Sequence, residues 1–354
     1  MPDGPLESQY PMPLRQQPSR WGEPLKLLPV FFVLGTIGGL YVIYTLCHAL
    51  PMLQLTVPSA QVDSDMRSRG MTQTIIFNVV SFMLVLSYTR CILVHPGEVP
   101  DSKGWVYAQG TDVNGPVQET KKDGQRRHCK WCSKYKPDRC HHCRVCRTCI
   151  LKMDHHCPWI YNCVGFANYK YFFLLLLYAV IDCHLIVWSM AESVKRCVDE
   201  PETRFITMFM TFFTETLALF LAVLTTLFFG FHIWLMLKAM TTIEFCEKSL
   251  PKKDGEARSY DSSVYNLGFF GNVRTVLGDN VLLWFFPCAR PAGDGLNFMS
   301  DETRLAKDME SGKGIRRRTH QKTQRVPRRH FGEEPRIGGG YYAGLGYGDP
   351  IRPS

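Results

Sequence analysis

Residues 129–163 read CKWCSKYKPDRCHHCRVCRTCILKMDHHCPWIYNC, a stretch that holds eight of the chain's 14 cysteines together with His141, His142, His155 and His156. It contains an internal repeat. Cys129, Cys132, His142 and Cys149 recur 14 residues later as Cys143, Cys146, His156 and Cys163, each set reading Cys-x2-Cys-x9-His-x6-Cys. Three thiolates and one imidazole are the donor set of a closed tetrahedral zinc site. Two sets imply two structural Zn2+ ions. The second set begins before the first is complete, so the two sites must share strands and loops in a compact ribbon that folds with its metal.

A third repeat would begin at Cys157, but Ile160, Lys170 and Leu177 occupy its remaining positions, so no third site closes. Cys157 is therefore a thiol at ligand spacing with no metal to serve. His156 belongs to the second set, which leaves His155 free beside that thiol, with Asp154 adjacent. The thiolate is the reactive form of cysteine. An imidazole can take its proton, and a carboxylate can fix the imidazole's tautomer and stabilise its cation. Cys157, His155 and Asp154 thus read as nucleophile, base and orienting group. Cys140 and His141 also stand outside the repeat and read either as packing or as substitute ligands.

Outward from this stretch, the chain turns apolar. Its 354 residues, 45% hydrophobic and 21% charged, would by length suit two or three soluble domains. However, residues 27–46 and 71–89 contain no charge, residues 171–191 are interrupted only by Asp182 and His184, and residues 205–237 carry only Glu215 and His232. Runs of that length match a bilayer's hydrocarbon thickness, so four spanning helices are expected and a soluble enzyme is excluded. The membrane part of the fourth run is expected near 212–236. Pro51 and the Pro96-Gly97 pair read as the stops of the first two spans. The first run is too long for a cleaved signal and is preceded by a 26-residue segment of mostly polar and proline residues. A secreted disulfide scaffold fits poorly with membrane spans.

Lys and Arg number 13 in 96–170 and 19 in 238–354, but only 2 in 51–70 and 3 in 192–204. By the positive-inside rule the cysteine cluster and both termini face the cytosol. The net charge of +9 is then mostly a topology signal, and nucleic acid is not an expected partner. The chain divides into a disordered cytosolic N-terminus (1–26), spans one and two (27–95), a cytosolic loop with the cysteine-rich domain (96–170, core 129–163), spans three and four (171–237), a cytosolic C-terminal region (238–299) and a disordered basic, Gly/Tyr-rich tail (300–354). Arg316, Arg317, Arg318, Arg328 and Arg329 in the tail could dock on anionic lipid.

Cys129-x2-Cys132, Pro137-x-Arg139-x2-His142-Cys143, Cys146, Cys149, Asp154-His155-His156-Cys157-Pro158-Trp159 and Asn162-Cys163-x-Gly165-x2-Asn168 together resemble the cysteine-rich domain of the DHHC protein S-acyltransferases. Thr241-Thr242-Ile243-Glu244 is similar to that family's TTxE motif and reads equally as a capping box. Asn272, within Leu267-Gly268-x3-Asn272-x5-Gly278, is similar to its C-terminal motif and reads otherwise as a turn residue. The resemblance covers about 27–290 and implies an all-α four-helix membrane bundle with a cytosolic two-zinc domain between spans two and three. It implies that Cys157 takes an acyl group from palmitoyl-CoA, or a similar fatty acyl-CoA, as a thioester and passes it to cysteines of cytosolic or membrane-associated proteins. His155 would be the base and Asp154 its orienter, with zinc on the repeat's ligands. One departure is visible: where the family often has Asp-Pro-Gly after span two, this chain has His95-Pro96-Gly97. The membrane would be endomembrane (Golgi or ER) or plasma membrane.

Acyl-CoA places its chain in lipid and its charged head in water, which suits a thiol at the cytosolic interface. Lys134, Lys136, Arg139, Arg126 and Arg127 are candidates for the CoA phosphates, with Lys136 and Arg139 favoured. Asp182 lies 11 residues into the third span, about 16 Å deep. A carboxylate there is expected to be paired inside the bundle, either as glue against Thr225 or Thr226 or as the floor of an acyl cavity. The rival class is a non-catalytic, membrane-tethered zinc module for protein interaction or ubiquitin transfer, which has no need of an unligated thiol beside His155.

Overall fold

The structure, a computed structural model, describes residues 24–102, 104–107, 119–121, 125–249, 264–289 and 291–298. Of the segments expected to be disordered, 1–26 and 300–354, all but residues 24–26 lie outside the described residues, as does the tail's arginine cluster, while Pro24–Leu27 form a 3-10 turn. Among the described residues, four helices are long and apolar enough to cross a membrane: α1 (Leu25–Leu53), α2 (Ser64–Leu93), α3 (Tyr169–Asp199) and α4 (Phe205–Leu237). Two shorter helices follow, α5 (Thr242–Ser249) and α6 (Gly268–Leu277).

The boundaries follow local chemistry. Asp63 caps α2, its Oδ1 accepting from the Asp65 and Met66 amides at 2.9 and 3.1 Å. The helix ends at Leu93, where Val94 turns extended ahead of His95-Pro96. Pro51 does not end α1 as expected. The helix widens into a π-turn over Thr45–Ala49, runs on through Pro51 to Leu53, and stops at Gln54 in the left-handed region (φ 50°). The wide turn relieves the crowding of the proline ring against the preceding turn.

α3 packs along both α2 and α4, while α1 leans on α2 and α4, closing a four-helix bundle. Gly70 permits the approach of α2 to α1, since a Cβ there would stand 2.6 Å from that of Met52. One buried cluster fills the bundle end that carries the cysteine-rich domain, with Tyr88, Cys91, Tyr169, Phe172, Phe173 and Met236 around Cys157. A second, of Tyr44, Phe77, Ile186, Met190 and Ala218, fills the other end. Phe31, Ile75, Phe82, Trp188, Phe220 and Leu227 stay exposed on the outer faces, as helices bathed in hydrocarbon require.

The expectation of an all-α protein holds for the bundle only. The cysteine-rich insert forms six short strands in three antiparallel hairpins: β1 (His128–Cys129) with β2 (Lys134–Tyr135), β3 (His141–Cys143) with β4 (Thr148–Ile150), and β5 (His155–Cys157) with β6 (Asn162–Val164). The register repeats with the sequence, His142 facing Cys149 and His156 facing Cys163. So do the turns: Ser133, Arg147 and Tyr161, spaced by 14, are all left-handed, with φ of 49°, 57° and 47°.

The insert docks on the bundle by hydrogen bonds. Tyr88 Oη donates to the Trp159 carbonyl at 2.7 Å, and Asn162 Nδ2 to the Cys91 and Val94 carbonyls, each at 2.9 Å. Asn168 braces the exit into α3, accepting from the Gly165 amide and donating to the Cys163 carbonyl. The departing His95 keeps a local contact of the kind an aspartate would make, Nδ1 accepting from the Gly97 amide at 3.2 Å. At Gly165 a Cβ would meet Ile150 Cγ2 at 2.6 Å and the Leu151 and Pro96 carbonyl oxygens at 3.0 and 3.1 Å. Because two of these are backbone atoms, Gly165→Ala is expected to destabilise the protein by about 1–3 kcal/mol. Thermal unfolding of the detergent-solubilised protein measures this, and an unchanged midpoint would refute it.

Candidate active site and metal centres

The repeat's two ligand sets meet in space. The donor atoms of Cys129, Cys132, His142 and Cys149 lie within 4.8 Å of one another, as do those of Cys143, Cys146, His156 and Cys163. In the first group the thiol sulfurs stand 3.5, 3.3 and 3.9 Å from His142 Nδ1. In the second they stand 3.7, 3.5 and 3.5 Å from His156 Nδ1. A tetrahedral zinc with ordinary Zn–S and Zn–N bonds separates sulfur from nitrogen by about 3.6 Å. Both donor sets therefore fit the ion. The β1–β2 hairpin supplies Cys129 and Cys132, and the β3–β4 hairpin supplies His142 and Cys149. The β3–β4 hairpin also starts the second group with Cys143 and Cys146, and β5–β6 completes it. Cys140 stands outside both groups, buried in an apolar cluster with Val99 and Leu151. His141 is likewise outside both, and burial, helped by Arg127 and Lys136, lowers its pKa to about 4.

The third hairpin brings Asp154, His155 and Cys157 together. Asp154 has no exposure to solvent. Its Oδ2 accepts from His155 Nδ1 at 2.7 Å and from Thr242 Oγ1 at 2.7 Å, and its Oδ1 accepts from the Thr242 amide at 2.9 Å. With Nδ1 held by Asp154, the imidazole shares a face of β5 with Cys157, two residues on. Burial pushes Asp154 upward, but the hydrogen bond and charge of His155 and the Thr242 hydroxyl outweigh it and hold the carboxyl below its ordinary value. Burial alone would lower His155. Asp154 and then Cys157 overcome that and raise it to about 9. The site thus stabilises a protonated imidazole beside the sulfur, which is the state reached once the thiol has given up its proton.

The segment after α4 forms the wall behind this trio. Thr241 Oγ1 accepts from the Glu244 amide at 3.2 Å, while Glu244 Oε2 accepts from the Thr241 amide at 3.0 Å, a closed capping box. Glu244 also takes the guanidinium of Arg139 at 2.6 and 2.9 Å, and Arg139 donates to the Ala239 carbonyl. Asn272 Nδ2 donates to the Leu237 carbonyl at 2.9 Å and its Oδ1 accepts from the Leu267 amide, tying α6 to the end of α4.

This geometry corrects two expectations. Arg139 is not available for a CoA phosphate, because it is 4% exposed and its fork is closed on Glu244. Asp182 is paired, but its partner is Ser81 of α2, whose hydroxyl donates at 2.9 Å. Thr225 instead donates to the Leu221 carbonyl of its own helix. Of the other cations, Lys134 is taken by Asp101 and the Val99 carbonyl, Arg127 by Glu119, and Arg126 lies over the Trp105 and Tyr135 rings. Lys136 is half-buried and has no ion pair among the described residues.

Sequence reading assigned no role to Tyr88, Tyr169, Phe172 or His232. His155 stands edge-on to Phe172 at 5.2 Å and 6.1 Å from His232, whose Nδ1 lies 3.3 Å from Tyr169 Oη. A histidine within an apolar span was the available signal for His232. The aromatic residues carried none, because every span is rich in them.

Breaking the Arg139–Glu244 pair strands a buried charge, so Arg139→Ala is expected to cost about 3–5 kcal/mol. A matching drop in midpoint, with Arg139→Lys intermediate because lysine lacks the fork, checks this in the solubilised protein. Wild-type stability in Arg139→Ala would overturn it.

A family model described as DHHC palmitoyltransferase matches residues 122–249. The chain is 39% identical over 189 residues to palmitoyltransferase ZDHHC15 of Rattus norvegicus, covering 52% of this chain and 53% of that one. It is 38% identical over 187 residues to palmitoyltransferase ZDHHC2 of Mus musculus, covering 52% and 49%. To probable protein S-acyltransferase 16 of Arabidopsis thaliana it is 34% identical over 285 residues, covering 77% of this chain and 92% of that one. The chain thus spans about half the length of the two rodent relatives and most of the plant one.

Proposed function

This chain belongs to the DHHC palmitoyltransferase family, and from that premise we propose that it is a protein-cysteine S-acyltransferase using palmitoyl-CoA or a similar fatty acyl-CoA. The observation that carries the reading is the Asp154–His155 hydrogen bond on the same strand face as Cys157, a thiol that stands outside both donor groups. A tethered zinc module without catalysis gives no account of that thiol.

The reaction runs in two steps. The Cys157 proton passes to His155, whose cation Asp154 holds in place. The thiolate attacks the thioester carbonyl of acyl-CoA, the bond from that carbon to the CoA sulfur breaks, and the CoA thiolate takes the proton back from His155. A cysteine of the protein substrate then enters, gives its proton to His155 and attacks the acyl-Cys157 thioester, which releases the Cys157 thiolate to be reprotonated. Two structural Zn2+, held by Cys129, Cys132, His142 and Cys149 and by Cys143, Cys146, His156 and Cys163, would fix the hairpins that present the thiol. Lys136 is the cation of the sequence-derived set left for a CoA phosphate. The asymmetry of Lys and Arg supports a cytosolic face for the cysteine-rich domain and both termini. The acyl chain would lie among the spans with its end near Asp182 and Ser81.

Cys157→Ser is expected to abolish both self-acylation and transfer with two zinc ions retained per chain, read by hydroxylamine-sensitive labelling and by metal analysis. Loss of one zinc would assign Cys157 to a metal site and sink the reading. His155→Ala should keep its zinc and slow acylation by roughly 100- to 10,000-fold, the range of a positioned base. Cys146→Ser or His142→Ala should lower zinc content, protease resistance and protein level together.

Asp182→Ala removes the polar floor and is expected to shift preference toward longer acyl-CoAs in competition across a series of chain lengths. An unchanged profile in a stable variant would leave the Asp182–Ser81 bond as a helix–helix contact alone.

A further inference from the structure

We infer that residues 280–288, beyond the fourth span, form a wedge that dips into the hydrocarbon of the bilayer leaflet on the side of the cysteine-rich domain. The stretch reads Asn-Val-Leu-Leu-Trp-Phe-Phe-Pro-Cys, without a charge, between Asp279 and Arg290. It presents its large apolar side chains outward: Leu282 is 83% and Phe285 58% exposed, with Val281 and Phe286 exposed beside them. A water-facing surface does not concentrate such side chains in six residues.

Its depth is fixed by the third span. Tyr178 Oη donates to the Phe285 carbonyl at 2.5 Å, and Tyr178 lies nine residues beyond the start of α3, about 13 Å along its axis. The tyrosine leans back toward the helix N-terminus, so the Phe285 carbonyl sits shallower than that but still below the mouth of the span. Nearer the mouth, Lys170 Nζ donates to the Leu283 carbonyl at 2.7 Å, and Tyr171 Oη donates to the Ala289 carbonyl at 3.3 Å. Ile181, three residues beyond Tyr178, is exposed, so the wedge continues the lipid-facing surface of α3.

The backbone of the wedge is built for a medium without water. Non-helical chain persists at membrane depth only where its polar groups are paired. The Leu282 amide donates to Asn280 Oδ1 at 3.0 Å, and the Leu283, Trp284 and Phe286 amides donate to the Asn280, Val281 and Leu283 carbonyls. Pro287 has no amide to satisfy, and the Trp284 indole donates to the Gly278 carbonyl at 2.9 Å. Three side chains of a spanning helix cover carbonyls that water would otherwise cover. The occupant of the exposed face is therefore lipid acyl chain.

The test uses the full chain reconstituted in phosphatidylcholine vesicles, with an environment-sensitive fluorescent amino acid at position 282 and, as a water-facing control, at position 294. Bromine on the lipid acyl chains should quench position 282 and leave 294 unchanged, while acrylamide in the water should quench 294 with loss of that quenching at 282. Equal acrylamide quenching at both positions overturns the inference. Protection at 282 that disappears when the lipid-to-protein ratio is raised also overturns it, by showing that a second copy covers the face. Leu282→Glu with Phe285→Glu supplies an independent reading through chymotrypsin cleavage after Trp284, inside the wedge. Cleavage in intact vesicles should be faster than in wild type while the spans stay protected, and an unchanged rate in that folded variant counts against the wedge.

Discussion

The structure turns on one carboxylate with no access to water. A buried charge is tolerable only when it is paired and hydrogen-bonded, and Asp154 meets that condition with three hydrogen bonds from two distant parts of the chain. It takes the imidazole of its own hairpin, and it takes both the amide and the hydroxyl of Thr242, 88 residues further on and beyond the fourth span. The need to satisfy Asp154 therefore determines where the chain after α4 must return. That return closes one side of the site.

The same logic extends outward through Glu244. It is the partner of Thr241 in the capping box and of Arg139 in the cysteine-rich insert, so one side chain both starts α5 and fastens that helix to the insert. Arg139 is left-handed at φ 62° and 4% exposed, conditions an arginine adopts only where the surrounding contacts over-determine it. On the other side, Tyr88 and Asn162 fasten the insert to α2. The thiol of Cys157 is thus held between a helical bundle that can solvate an acyl chain and a hydrogen-bonded wall that can hold a proton.

How much of this was legible in the sequence depends on the range of the interaction. The metal groups were readable because ligands from adjacent hairpins impose a fixed spacing, and the spans because a bilayer demands uninterrupted apolar length. The capping box was readable because it is local. The role of Arg139 was misread because a guanidinium near a phosphate-binding enzyme's surface and one closed on a distant glutamate look alike in one dimension. Its partner lies 105 residues away. Asp182 was correctly placed inside the bundle, since the cost of a charge in hydrocarbon is a local argument. Its partner Ser81 could not be chosen over Thr225 or Thr226 because helix rotation is set by packing. Pro51 failed as a stop because a helix can widen by one residue where the ring would clash, a choice that no propensity encodes.

The 14-residue repeat explains why the thiol stands where it does. Three hairpins share the same register and the same left-handed turn residue, at Ser133, Arg147 and Tyr161, so the fold repeats once more than the four-residue donor set does. In the first two hairpins the cysteine ending the first strand, Cys129 or Cys143, has a partner three residues on, Cys132 or Cys146, which turns the knuckle into half a metal site. In the third, the corresponding partner is Ile160, fully buried against the bundle, and the chain that would have supplied a further histidine and cysteine has become the spanning helix α3. The knuckle that would have held half of a third zinc therefore holds a thiol alone, delivered by the same backbone geometry to the mouth of the bundle. Restoring a cysteine at 160 would recreate the half-site, but neither Lys170 nor Leu177 could complete it, and a sulfur there would replace the apolar contact that seats the hairpin on α1 and α2. The pattern that makes the two donor sets, interrupted at one position by an apolar residue and at the next by a membrane helix, is what leaves Cys157 outside both of them.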